Sequence, residues 1–213
     1  KIHFICHKGF IPWDDDIDLG MTRENYERFL REAPALLGDE YVMQEFSTEP
    51  NTPFYYTKIR KRGTRIVESE WVGMPIEGGI YIDIFPYDII PDNETQRLSQ
   101  RRKVGFLVNC FMAKSTWLWR WFGKANNGVT HPKSWISCAA IRLYSALHSK
   151  KQIYNKLYRE LTRYNNTSGR YYNIVRMPKD MISKEAIEHL EPRKFGAMMV
   201  MAPADLELYQ IGR

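Results

Sequence analysis

Four aspartates lie within five positions near the start of the chain, at Asp14, Asp15, Asp16 and Asp18. Carboxylates this close repel one another, so we expect a cation that offsets the repulsion. In an extended segment side chains alternate, which places Asp14, Asp16 and Asp18 on one face and Asp15 on the other. Neighbours on one face are roughly 7 Å apart, close enough to share one divalent cation or to bracket two. Magnesium prefers such oxygen ligands, and manganese is the alternative ion.

Two other interpretations of the cluster can be weighed from the sequence. A calcium-binding EF-hand loop starting at Asp14 would need glycine at its sixth position and glutamate at its twelfth. This chain has Leu19 and Asn25 at those positions, so the EF-hand motif is excluded. A solvated acidic turn remains the alternative to a metal site. The apolar residues Ile17 and Leu19 alternate with the acids and favour a half-buried strand.

A further carboxylate, Asp83, lies between isoleucines in the run Ile80–Phe85. A buried charge needs a partner, because an unpaired one is very costly. Either a cation shared with Asp16 and Asp18 or a buried salt bridge to a lysine or arginine would supply it.

The surrounding pattern predicts an α+β fold that begins with a strand over 14–21 and a helix after Thr22, interrupted near Pro34. We expect Pro86 to end the strand over 80–85. We predict strands over 41–46, 55–60, 64–68, 80–85, 171–175 and 195–200, and helices over 94–114, 134–147 and 151–164. The chain, 1–213, therefore reads as a single domain with a helical insertion at about 94–168.

The bulk composition narrows the classes of protein. The 44% hydrophobic and 26% charged residues are typical of a folded protein, and no stretch approaches a membrane span. The three cysteines fit neither a disulfide framework nor a zinc site. Together these features favour a cytoplasmic protein, with the inner face of the membrane as a second option. The formal charge of +6 favours acidic partners.

The segment Lys8–Asp18, followed by Arg23 and Tyr26, resembles the signature of the LicD family of phosphorylcholine transferases, whose wider family includes fukutin-related protein. Later stretches resemble the rest of that family's pattern: Thr57–Arg60, Tyr81–Pro86 with Asp88, and Glu191–Gly196. The resemblance spans nearly the whole chain and is weakest in its helical middle.

This resemblance implies a nucleotidyltransferase-like fold with carboxylates on two strands holding magnesium. Carried over to this chain, the expected metal ligands are Asp16, Asp18 and Asp83, with Asp14 as a further catalytic acid. The implied reaction moves a phosphate-linked alcohol, such as phosphocholine, from a CDP-linked donor to a glycan or lipid-linked glycan, as in modification of lipopolysaccharide or teichoic acid. Either Asp83 or Asp14 is expected to accept the proton of the acceptor hydroxyl.

Three basic residues are expected to bind the donor's phosphates. Lys58 and Arg60 alternate onto one face of their predicted strand, and Lys8 stands beside the acidic cluster. The alternative for Lys58 and Arg60 is an exposed basic edge strand, and the alternative for Lys8 is a role at the protein surface.

The sequence departs from the family pattern where a glycine-rich segment usually precedes the Lys-Gly-Phe stretch, since His3 stands in the place of a glycine. A nucleotide- or glycan-binding relative with weak or no turnover is therefore a second hypothesis. A metal-dependent glycosyltransferase using Asp16-Ile17-Asp18 is a third.

The basic, aromatic-rich stretch at 101–124 suggests peripheral membrane contact or packing of an ordinary helix, and we favour packing. No recognisable nucleic-acid-binding module is present, so nucleic acid is not an expected partner. The sequence leaves the oligomeric state open.

Overall fold

The computed structural model describes residues 17–66, 74–115, 132–174 and 181–205. These ranges contain runs of strands and a run of three α-helices, and short 3-10 turns at Ala33–Ala35 and Thr162–Tyr164 follow two of the helices. In chain order the elements are β1 Asp18–Thr22, α1 Arg23–Glu32, β2 Tyr41–Gln44, β3 Thr57–Lys61, β4 Tyr81–Ile90, α2 Glu94–Ala113, α3 Pro132–Leu147, α4 Lys150–Leu161, β5 Tyr171–Asn173, β6 Ile182–Ser183, α5 Lys184–Glu188, β7 Leu190–Phe195 and β8 Met198–Pro203. The predicted α+β class is confirmed.

Strands β1 to β6 form one mixed sheet in which β4 is the central strand. It pairs in parallel with β1 and antiparallel with both β3 and β5. Strand β2 extends the sheet beyond β3, and β6 extends it beyond β5. The β-branched and aromatic residues of β4 are buried from position 83 onward, as expected of a central strand. The predicted mixed sheet is therefore confirmed.

The prediction that Pro86 ends its strand is wrong, because β4 continues to Ile90. The Asp83 N–H donates to the Ile17 carbonyl on the β1 side, so alternation turns the nitrogen of residue 86 toward the opposite edge. On β4 the pairing with β3 has ended at Ile84, and the pairing with β5 starts only at Asp88. Proline lacks an N–H and is tolerated where no ladder partner is needed.

Helix α1 covers one face of the sheet and begins after Thr22, as predicted. Its buried Tyr26 packs with Met43, Ile59 and Ile84, which project from three neighbouring strands. The Tyr26 hydroxyl also bonds the Thr57 hydroxyl at 2.6 Å. The helix ends at Glu32, where a 3-10 turn containing Pro34 takes over, so the predicted interruption is confirmed. The apolar positions of β3 and β4 therefore face α1, and the alternate positions face the other side.

Residues 64–66 do not form the first part of the predicted strand 64–68, whose last two positions lie outside the described residues. The Thr64 hydroxyl instead donates to the Lys61 carbonyl at 2.6 Å and accepts from the Ile80 N–H at 3.0 Å. These bonds close a turn between β3 and β4, in which Gly63 adopts a φ of 72°.

In the sequence, helices α2, α3 and α4 come between β4 and β5. These two strands are direct neighbours in the sheet, where Ile90 pairs with Tyr171. Helix α4 begins with a capping box in which the Ser149 and Gln152 side chains each bond the other residue's backbone N–H. The apolar core of α2 and α4 comprises Val104, Leu107, Val108, Met112, Leu157 and Leu161. The helices are thus a packed insertion, as predicted.

Within the described part of the aromatic-rich stretch, Leu107 and Phe111 are buried, which confirms the packing interpretation for these two residues. Phe111 contacts Phe46 edge-on at 5.4 Å between centroids. Residues 116–124 lie outside the described residues. Among the helices that the structure describes, none combines the length and the hydropathy that crossing a membrane requires.

The single strand predicted over 195–200 is wrong, because the structure forms the hairpin β7–β8 there. Gly196 has a φ of 57°, a left-handed conformation that favours glycine and reverses the chain between Phe195 and Met198.

Candidate active site

Two acids meet where the parallel strands β1 and β4 run side by side. Asp18 is the direct register partner of Asp83, and residues opposite each other in a parallel pair project from the same face. Adjacent strands lie about 4.8 Å apart, so the two side chains are immediate neighbours. The strands of Asp18 and Asp83 therefore adjoin in one sheet, which is the condition for the two acids to share a cation. Asp18 is half-buried and Asp83 is buried.

The same row of the sheet continues beyond Asp83 to Lys58 and Gln44, each the register partner of the residue before it. We call Asp18, Asp83, Lys58 and Gln44 the polar row. The polar row lies on the face of the sheet opposite α1. Ile59 and Ile84, which directly follow Lys58 and Asp83 along their strands, point to the other face and pack against Tyr26 of α1. The period of two along each strand therefore separates apolar core from polar site.

Asp83 forms a buried ion pair with Lys58, whose Nζ donates to Asp83 Oδ1 at 2.7 Å. The ammonium also lies 3.4 Å from the centroid of the Tyr81 ring, a cation–π contact on the same face. Lys58 is only 1% exposed. The salt-bridge alternative for Asp83 is thus present in the fold, and a cation shared with Asp18 stays a prediction beside it.

Arg60 lies two residues farther along β3, on the same face as Lys58, and is 1% exposed. Its Nε donates to Gln44 Oε1 at 2.7 Å and its Nη1 donates to the Gly79 carbonyl at 2.6 Å. The alternative of an exposed basic edge strand is wrong, because β3 lies between β2 and β4 and both side chains are buried. Phosphate binding by Lys58 and Arg60 stays a prediction.

Beside Arg60, the backbone at Gly79 lies very close to the backbone at Lys61. A Cβ at this position would lie 2.2 Å from the Lys61 carbonyl oxygen, well inside any permitted contact. Glycine therefore allows the loop before β4 to reach the Arg60 guanidinium.

A second buried ion pair braces the other face of β4. Arg23 donates from Nε to Asp88 Oδ1 at 2.8 Å and from Nη2 to the second carboxylate oxygen. The Asn165 side chain donates to Asp88 Oδ1 and accepts from the Ile89 N–H, both at 2.8 Å. This network joins the start of α1, the central strand and the end of the helical insertion.

Sequence reasoning gave no structural role to Gln44, Tyr81 or Asn165, and it noted Arg23 and Asp88 only as parts of the family pattern. The position of Tyr81 beside the site could have been predicted, because Tyr81 stands two residues before Asp83 in a strand and therefore shares its face. Asn165 had none, since its partner Asp88 is 77 residues away in sequence.

Several predicted site residues lie outside the described residues, namely Lys8, Asp14 and Asp16. Within the ranges that the structure describes, no group of three or more metal-ligating side chains occurs. The pair Asp18 and Asp83 nevertheless supplies two hard oxygen donors on one face, which fits magnesium. A third donor from Asp16 stays a prediction from the sequence.

Residues 4–136 match the family model described as LicD/FKTN/FKRP, nucleotidyltransferase domain, which covers more than half of the chain. The lipopolysaccharide cholinephosphotransferase LicD of Haemophilus influenzae is 37% identical over 92 residues. This match covers 41% of this chain and 32% of the relative, so the chain accounts for about a third of that relative's length.

No solved structure matches the chain significantly. The family match includes both acids of the polar row, the buried lysine beside them and the whole of the β1–α1 junction. The chain therefore belongs to the LicD/FKTN/FKRP family of nucleotidyltransferase-domain proteins.

Proposed function

We propose that this chain is a transferase that moves a phosphate-linked alcohol, such as phosphocholine, from a CDP-linked donor to a glycan acceptor in a magnesium-dependent reaction. Family membership and the cholinephosphotransferase relative support the reaction class. The observation that carries the proposal is the register pair of Asp18 and Asp83 on the polar face of the sheet.

The residues of the polar row suit the demands of phosphoryl transfer, in which positioning and charge neutralisation supply most of the rate. Magnesium, when bound to Asp18, Asp83 and Asp16, would neutralise charge on the donor phosphates. Lys58 holds one oxygen of Asp83 at 2.7 Å and thereby fixes the orientation of the carboxylate. Tyr81 limits the movement of the Lys58 ammonium by lying against it.

Donor identity and metal dependence can be tested in one experiment. The chain is incubated with a panel of CDP-alcohols, with magnesium and with a chelator, and release of cytidine monophosphate is measured. We expect release with at least one donor, and only with magnesium. Nucleotide binding without release for any donor, with glycan acceptors present, would instead identify a binding relative.

The role of the acids is tested by Asp18→Asn and Asp83→Asn, which remove a charged ligand at nearly constant volume. Loss of several kcal/mol of transition-state stabilisation corresponds to a rate decrease of roughly a thousandfold. Asp39→Asn is the matched control, because Asp39 is an exposed acid outside the polar row. Equal activity of Asp18→Asn and Asp39→Asn would contradict the assigned site.

A further inference from the structure

The charge of this protein is concentrated in the helical insertion. Residues 95–159 contain 13 lysines or arginines and no aspartate or glutamate. The rest of the chain contains 18 lysines or arginines and 25 aspartates or glutamates. The insertion is therefore strongly basic and the remainder is acidic, so the net positive charge comes entirely from one structural unit. Such asymmetry is typical of proteins that approach an anionic surface.

Helix α3 in this insertion is apolar on the side that faces away from the part of the chain that the structure describes. Trp135, Ile136, Leu143 and Leu147 are 71%, 76%, 64% and 72% exposed, respectively. At about 100° per residue these four positions share one side of the helix, and the exposed residues Ala139 and Ala146 lie between them on that side. A surface helix of a soluble protein normally shows the opposite distribution, with polar residues outward.

The opposite side of α3 is already occupied by the protein core. Ile141 is buried with Cys110, Phe111 and Ile153, and the Ser145 hydroxyl donates to the Cys110 carbonyl at 3.3 Å. The exposed apolar side is therefore not a misassigned core face. Contiguous exposed apolar surface of this kind marks a contact with a membrane or with another protein.

Basic side chains border this apolar face. Arg142 is exposed on α3 itself, and Lys156 is exposed on α4. The Lys156 ammonium donates to the Tyr144 hydroxyl at 2.9 Å, which places its charge against the flank of α3. A second copy of this chain would bring an equally basic unit to the interface, whereas an anionic lipid surface complements both the apolar face and its basic border.

We propose that α3 lies flat on an anionic lipid bilayer, with Trp135, Ile136, Leu143 and Leu147 in the headgroup and acyl boundary. Its 16 residues span about 24 Å as an α-helix, less than the roughly 30 Å of a hydrocarbon core. The helix therefore binds in the plane of the surface and does not cross it. Its aromatic residue and its basic neighbours are the features that in-plane helices use.

The test is flotation of the 213-residue chain with lipid vesicles, measured as the fraction bound. Vesicles of phosphatidylcholine with phosphatidylglycerol should bind the protein, and vesicles of phosphatidylcholine alone should bind it weakly. Raising the salt concentration should weaken binding, because the basic border contributes electrostatically. Leu143→Glu should lower the partition coefficient by roughly tenfold or more, since it places a charge in the centre of the apolar face.

Leu36→Glu is the matched control, because Leu36 is 84% exposed but lies after α1, outside the insertion. It should bind as the unmodified chain does, and circular dichroism should give both variants the unmodified melting temperature. No binding to anionic vesicles, or equal binding of Leu143→Glu and Leu36→Glu, would overturn the proposal. A dimer in light scattering that Leu143→Glu converts to a monomer would assign the face to a second copy and also overturn it. The assay contains neither nucleotide nor metal, so its outcome is independent of the proposed transferase activity.

Discussion

The buried pair of Lys58 and Asp83 gives the sharpest prediction about how this site is held together. Lys58→Met replaces the ammonium with an apolar side chain of similar length, and it leaves the Asp83 carboxylate without its 2.7 Å partner in a site where the residue is only 7% exposed. Breaking a buried ion pair by removing one partner costs about 3–5 kcal/mol. For a chain of this size that corresponds to a fall in Tm of roughly 10 °C.

The double-mutant cycle separates the pair from its surroundings. Asp83→Asn alone should cost about 1–3 kcal/mol, because the amide oxygen can still accept from Lys58. The double variant, Lys58→Met with Asp83→Asn, removes both charges and should cost about 2 kcal/mol less than the sum of the two single changes. Stability is measured by urea unfolding followed by circular dichroism, in a chelator so that no divalent cation contributes.

Lys61→Met is the matched control on the same strand. Lys61 lies 4.0 Å from Glu40, and both side chains of this pair are largely exposed. Exposed pairs contribute little, so we expect a change within about 0.5 kcal/mol. Strictly additive effects of Lys58→Met and Asp83→Asn, or a Lys58→Met variant as stable as Lys61→Met, would refute the reasoning.

Three further predictions follow from the packing. Gly79→Ala should destabilise the chain by about 1–3 kcal/mol in urea unfolding, because its Cβ would meet the Lys61 carbonyl oxygen, while Gly38→Ala, with nothing within 4 Å, should not. Asn165→Ala should lower Tm by removing two of the 2.8 Å bonds that join the insertion to β4, and an unchanged Tm would contradict that bracing role. Burial raises the pKa of the Cys110 thiol to about 11, so alkylation at mildly alkaline pH followed by peptide mapping should modify the half-buried Cys138 before Cys110; faster modification of Cys110 would contradict the buried position of α2.

Much of the site face could be predicted from the sequence, because strand alternation is a local property. The acidic cluster and the run around Asp83 indicated two strands that carry carboxylates, whereas the register that sets Asp18 beside Asp83 is a contact between distant parts of the chain. Alternation also placed Lys58 and Arg60 on a shared face, as observed. The helix that starts after Thr22 followed from its apolar spacing, which is likewise a local signal, whereas the Thr22 side chain makes no capping hydrogen bond.

Which partner each buried charge meets was decided only by the tertiary structure. The ion pair of Asp83 with Lys58 depends on the register of β3 against β4, which no local pattern specifies. The bond between Asn165 and Asp88 spans 77 residues and exists only because the insertion returns to the central strand.

Which side of α3 is exposed was likewise decided by the tertiary structure and not by the local sequence. Its sequence is apolar over most of its circumference, a pattern that cannot reveal which side meets the core. Packing against α2 buries Ile141 and leaves Leu143 in solvent. Local sequence determined the elements and their faces, because backbone periodicity is set by neighbouring residues. Contacts between distant elements determined the partners and the exposed surface, because burial is a property of the assembled chain.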